Sequence, residues 1–151
     1  MSDPEAAADE QLELGPDWRT LVNSWAQQGG YPATGDEDSL SLEFDLPATG
    51  RRITIRFMTA RDLLVAFMTD GNTLRPDQLA IGAAASNAWN TEQLLPMLSV
   101  WDVRGPSPCL AGVCVLPLTC RMSRREFGVL ADRWAEHARQ MFTRCHRVFQ
   151  L

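Results

Sequence analysis

The residues best equipped for chemistry are cysteines, and three of the four, Cys109, Cys114 and Cys120, share one stretch of chain. Such a group could bind a metal ion or run thiol chemistry. The spacings, four and five intervening residues, are not the C-x-x-C pairs from which zinc sites are recognised. Cys109 and Cys114 also differ by an odd number of positions, so on one regular strand they point to opposite faces. Buried structural cysteine is the favoured assignment. A metal- or thiol-dependent protein using Cys109, Cys114 and Cys120 stands as the alternative.

The adjacent pair Cys145 and His146 resembles a thiol with its base. Consecutive residues on a helix lie about 100° apart and do not face each other. Cys145 falls on the apolar stripe of its helix, where a thiol stays protonated. His137 and His146 are nine positions apart, on opposite sides of that helix, and cannot ligate together. Glu43 and Asp45 lie on the polar parity of a strand, where solvation is the default. Glycine-rich phosphate loops, a G-x-S-x-G elbow and an H-E-x-x-H pair are all missing from the sequence. These patterns predict no catalytic residue and no cofactor.

The net charge is −5, and all 14 basic residues are arginines. An acidic balance opposes general affinity for nucleic acid, which rests on phosphate neutralisation. Two basic clusters, Arg51, Arg52 and Arg56, and Arg121, Arg124 and Arg125, lack interleaved aromatics and are assigned to solvated surface; nucleic-acid binding through them is the weaker alternative. No run of 18 apolar residues is present, so no membrane span is expected. The first 14 residues lack the order of a secretory signal. A cytoplasmic location with reduced thiols is the corresponding expectation.

At 151 residues, with 45% hydrophobic and 22% charged content, the chain suits one globular domain. Residues 1–14 are expected to be a flexible acidic tail, and residues 15–151 a single domain. Trp18, Leu21, Val22 and Trp25 recur at helical spacing and predict a helix from Asp17 to Gln28, stopped by Gly29 and Gly30. Alternation predicts strands over 39–46 and 53–57. The run 63–68 is apolar at both parities, which predicts a strand covered on both faces. A second helix is expected from Pro76 to Trp89. Its middle has no charged face, and Gly82 suggests close approach to another element. Strands over 97–103 and 109–119 follow. Ser123 and Glu126 then form a capping box that opens a long amphipathic helix with Phe127, Leu130, Trp134, Ala138, Met141, Phe142, Cys145 and Val148 on its apolar stripe.

The predicted order is α-β-β-β-α-β-β-α, an α+β fold with a five-stranded, largely antiparallel sheet. Trp18, Trp25 and Trp134 belong to helical core stripes. Trp101 serves either the packing of a second sheet face or an interface, where tryptophan is enriched. Trp89 ends a helix beside Asn87 and Asn90, the asparagine amides being suited to bond nearby backbone.

The run Ala83–Asn90, with its Asn87-x-Trp89-Asn90 signature followed by Leu94-Leu95-Pro96 and a strand, resembles the bacterial YbjN family. Members are described as candidate sensory-transduction regulators, and the element order is similar to the fold of type III secretion chaperones. The resemblance covers about Trp18 to Phe149. It implies a homodimer of α+β subunits and a peptide-binding or chaperone-like role, with no active-site positions to transfer.

The residue pattern meets this at one point. Leu64, Ala66 and Met68, with Ala111, Val113 and Val115, are apolar where one layer of helices cannot cover both faces of a sheet. The candidate lids are the second helix, a second subunit and an extended peptide. An uncovered patch of this kind is unusual in a soluble monomer. A dimeric, non-catalytic protein-binding module is therefore expected, with Leu64, Ala66, Met68, Val113, Val115 and Trp101 as its contact patch.

Overall fold

The computed structural model describes residues 3–47 and 49–151. Its helices are α1 (Pro4–Asp9), α2 (Leu14–Gly29), α3 (Leu79–Glu92) and α4 (Arg124–Phe149). Its strands are β1 (Leu12–Glu13), β2 (Ala33–Gly35), β3 (Ser39–Leu46), β4 (Arg51–Ala60), β5 (Leu63–Thr69), β6 (Met97–Trp101), β7 (Cys109–Pro117) and β8 (Arg121–Met122). Six strands form one antiparallel sheet in the order β2-β3-β4-β5-β7-β6, and β1 pairs with β8 in a separate ribbon. The fold is α+β, with one strand more in the main sheet than alternation had suggested. The extra strand, β2, is three exposed residues, too short and polar to announce itself.

One face of the sheet carries the core. Leu42, Phe44 and Leu46 of β3, Ile53, Ile55 and Phe57 of β4, and Leu64, Ala66 and Met68 of β5 are all buried there. Leu98 of β6 and Leu110 and Cys114 of β7 continue it. All three long helices lie on this side. Trp25 of α2 and Phe127 of α4 approach Phe57 with ring centroids at 6.1 and 6.2 Å. Arg139 of α4 stacks over Phe44 at 4.5 Å. A fully buried side chain of this size contributes about 1.5–3 kcal/mol. Phe57→Ala, which would empty the meeting point of both helices, costs about 3–5 kcal/mol.

The helices end where their chemistry changes. Gly30 takes the left-handed conformation (φ 67°) and donates to the carbonyls of Ala26 and Gln27, closing α2. Ser123 Oγ accepts from Glu126 N–H, and the Glu126 carboxylate accepts from Ser123 N–H, opening α4 as the capping box predicts. Pro76–Gln78 form a 3-10 turn before α3. A Cβ on Gly82 would sit 3.1 Å from both Leu74 Cδ1 and Val100 Cγ2, so the bare backbone lets α3 lie close on the β6–β7 end of the sheet.

Residues 3–14 depart from the flexible tail expected over residues 1–14, of which residues 1–2 lie outside the described residues. From Asp3 onward the segment is structured: α1 lies against α4, β1 pairs with β8, and Leu14 is fully buried. Its carboxylates meet arginines of α4, while Leu14 and Gly15 N–H donate to the carbonyls of Cys120 and Leu118. Composition measures what a segment can bury by itself and does not register such long-range partners.

Candidate functional site

Among the described residues, no helix lies on the sheet's second face. Register places Met58 beside Val65 and Val115 in one row, and Arg56 beside Phe67, Val113 and Met97 in the next. Trp101 lies opposite Cys109 farther along. Val115 is 42% exposed, Trp101 45% and Met97 60%. An apolar strip thus crosses four strands without cover. It is bordered on β3 by Glu43 and Asp45, both of which pair with Arg52 of β4.

Val113, Val115 and Trp101 of the expected contact patch stand on this face. Leu64, Ala66 and Met68 do not. They are fully buried on the helix-covered side and cannot touch a partner. The residues of β5 that do face outward are Leu63, Val65 and Phe67. β5 is apolar at both parities, so hydrophobicity alone cannot choose between them. Counting across the hairpin could have done so: Arg61 and Asp62 make a two-residue turn, Ala60 then faces Leu63, and Phe57 shares its face with Ala66. Met58, Val65, Phe67 and Met97 were missed for want of that count.

Within the strip, Phe67 and Trp101 meet edge to face, with centroids 4.9 Å apart and planes at 87°. This arrangement suits the ring quadrupoles. Ala111, which faces Ser99 on the open face, is fully buried although no described helix lies above it. Trp101 packs the second face of the sheet and still offers nearly half its surface outward.

The Asn87-x-Trp89-Asn90 signature lies at the end of α3, against the outer edge of β6. Trp89 is buried, and its indole Nε1–H donates to the Pro96 carbonyl at 2.8 Å. Asn90 Nδ2 donates to Leu98 O at 2.8 Å, and Leu98 N–H donates to Asn90 Oδ1 at 2.9 Å. These two side chains tie α3 to the edge strand. Asn87 is exposed.

The thiols are poorly placed for reaction. Cys109 and Cys114 take opposite faces, opposite Trp101 and Ala66 respectively. Burial pushes the Cys114 thiol up to about 12. Burial, aided by the Asp70 carboxylate, pushes Cys145 up to about 12 as well. Cys109 is raised by burial and by Asp70 and Asp102. Among the described residues, no three His, Cys, Asp or Glu side chains come together to hold a metal ion. His137 lines an open cleft of about 460 Å³ with Leu94, Leu95, Leu130 and Trp134, whereas His146 has a buried Nδ1 without a hydrogen-bond partner. No helix among the described residues is long and apolar enough to cross a membrane.

No protein-family model and no curated protein matches the chain. Among solved structures it is similar to the crystal structure of YbjN from E. coli, described there as a candidate transcription regulator. The TM-score is 0.71 over 91% of this chain and 95% of that one, at 13% sequence identity. The chain therefore has a YbjN-like fold.

Proposed function

We propose that the protein is a non-catalytic, cytoplasmic protein-binding module, chaperone-like or regulatory, that works as a homodimer through the open face of its sheet. The observation carrying this reading is the strip of Met58, Val65, Phe67, Val113, Val115, Met97 and Trp101 on a face opposite every long helix. Four strands spaced about 4.8 Å apart and seven residues of about 3.3 Å span roughly 20 by 23 Å. That footprint, roughly 460 Å², is a little over half of a standard protein contact of about 800 Å² per partner. A second copy matches apolar strip to apolar strip, while Glu43 and Asp45, both paired with Arg52, form a polar rim. The similarity to YbjN, itself described as a candidate regulator, agrees with a role in which binding is the activity.

The partner is taken to be protein and not nucleic acid. Arg52 already engages Glu43 and Asp45, and a net charge of −5 opposes a polyanion. Light scattering after gel filtration tests the reading. The unaltered chain should run as a dimer at micromolar concentration, and Val115→Glu combined with Met97→Glu should run as a monomer with the same far-UV circular dichroism. A wild-type chain that is strictly monomeric there would overturn the proposal.

A further inference from the structure

The acidic N-terminal segment rests on a second surface, away from the open sheet face. Residues 3–13 include five carboxylates: Asp3, Glu5, Asp9, Glu10 and Glu13. Arg125 Nε donates to Asp9 Oδ1 at 2.8 Å. Arg124 donates to the Ala7 carbonyl at 3.1 Å and stands 3.9 Å from Glu10. Gln11 donates to Glu126 at 3.1 Å. Ala8 sits in a cleft with Gln28, Arg125, Gly128, Val129 and Asp132. Val129 is half exposed at the rim of this cleft.

Two features set this contact apart from core packing. First, no residue of α1 is fully buried, so two half-buried alanines, ion pairs and hydrogen bonds are what hold it. Exposed pairs of this kind are individually weak, and a six-residue helix does not sustain itself in water. Second, Arg124 and Arg125 occupy the first turn of α4, where the helix dipole disfavours cations. Arginines there are not explained by the stability of α4 itself. They are explained by an anionic partner.

We propose that Arg124 and Arg125, with the Gly128–Val129 cleft, form an acceptor for acidic peptide segments, and that the chain's own Ala8-Asp9-Glu10 is its resting occupant. The external ligand is a protein segment carrying two adjacent carboxylates after a small residue. Adjacent acids match adjacent arginines, the small residue fits the cleft, and the preceding main-chain carbonyl meets Arg124. The inner end of the strap is anchored by β1 and the buried Leu14, so the occupant stays at high effective concentration. A partner therefore gains access as the strap's own carboxylates are weakened.

The test uses the full-length chain and a fluorescent peptide with the sequence of residues 3–11. Asp9→Asn with Glu10→Gln in the protein should loosen the strap and raise peptide affinity about tenfold over wild type. Adding Arg124→Gln and Arg125→Gln should abolish that gain, and raising the salt concentration should weaken binding. Should the glutamine variants fold poorly, Arg124→Glu with Arg125→Glu gives a second readout: it should reject the acidic peptide and bind one with lysines at both acidic positions. Equal peptide affinity for wild type and the loosened strap would overturn the proposal. So would an oligonucleotide of equal charge binding the loosened protein better than the peptide does, which would reassign the arginines to nucleic acid.

Discussion

The side-chain amide of Asn90 pairs with both main-chain polar groups of Leu98, accepting at 2.9 Å and donating at 2.8 Å. The amide imitates a neighbouring strand for one residue of an edge. An edge strand's free N–H and C=O groups are a template for pairing with another chain. At β6 this template is occupied at Leu98, the second of its five residues. A chain pairing along β6 would have to displace this amide.

Asn90→Ala removes both bonds and leaves two partly buried groups of Leu98 unpaired. The expected loss is about 1–3 kcal/mol in urea denaturation. Asn90→Asp keeps the acceptor but sets a carboxylate against the Leu98 carbonyl, so it should be no better than alanine. A loss below ~0.3 kcal/mol for both variants would mean that water replaces the amide at no cost.

Much of this architecture is legible from residue order because its causes are local. The stripe of α4, its capping box and the alternation of β3 each state a face within a few residues. What is not legible depends on distant partners. The strands β1 and β8 have two residues each and exist only through one another. α1 needs Arg124 and Arg125, more than a hundred positions away. The contact patch fell between these cases. Val113, Val115 and Trp101 face outward, but β5 offers Leu64-Ala66-Met68 and Leu63-Val65-Phe67 as equally apolar sets. Only the turn at Arg61-Asp62 decides which set the helices cover.

Arg51 and Arg52 are neighbours with opposite importance for stability. Asp70 is only 6% exposed, and Arg51 donates to it at 3.1 Å and to the Leu151 carbonyl at 2.8 Å. Removing the cation strands a carboxylate in the interior, so Arg51→Ala should cost about 3–5 kcal/mol. Arg52 pairs with Glu43 and Asp45 on the exposed rim. Arg52→Ala should change stability by under ~0.5 kcal/mol. Thermal melts of the two variants check this, and similar losses would contradict it.

The capping box of α4 carries a pH signature. Hydrogen bonds from Ser123 N–H and then Gln11 hold the Glu126 carboxyl below the ordinary value of 4.5. A folded-state value below the unfolded one contributes stability above pH 4.5, and this is lost as pH falls through the lowered value. Glu126→Gln should therefore be less stable than wild type at pH 7, with the gap closing below pH 4.5. Urea midpoints at pH 7, 5 and 3 measure it. A gap independent of pH would show that the charge plays no part in the cap.

Buried thiols give the opposite sign at the alkaline end. Cys114 and Cys145 are pushed from the ordinary 9.0 up to about 12 by burial. The unfolded chain releases these protons first, so ionisation draws the equilibrium toward unfolding. Their contribution is intact below pH 9.0 and declines as pH climbs toward 12, by up to about 1.4 kcal/mol per thiol per pH unit. Cys114→Ala and Cys145→Ala should each cost stability at pH 7 through lost packing and flatten the fall above pH 9.0. The same burial keeps both sulfurs protonated near neutrality, where the thiolate is the reactive form. At pH 8, an aromatic disulfide reagent should modify Cys114 and Cys145 only as fast as the chain opens, and immediately in urea. Rapid labelling of Cys114 in the native protein would show a reactive thiolate where the fold holds a protonated one, and would reopen thiol chemistry as the protein's activity.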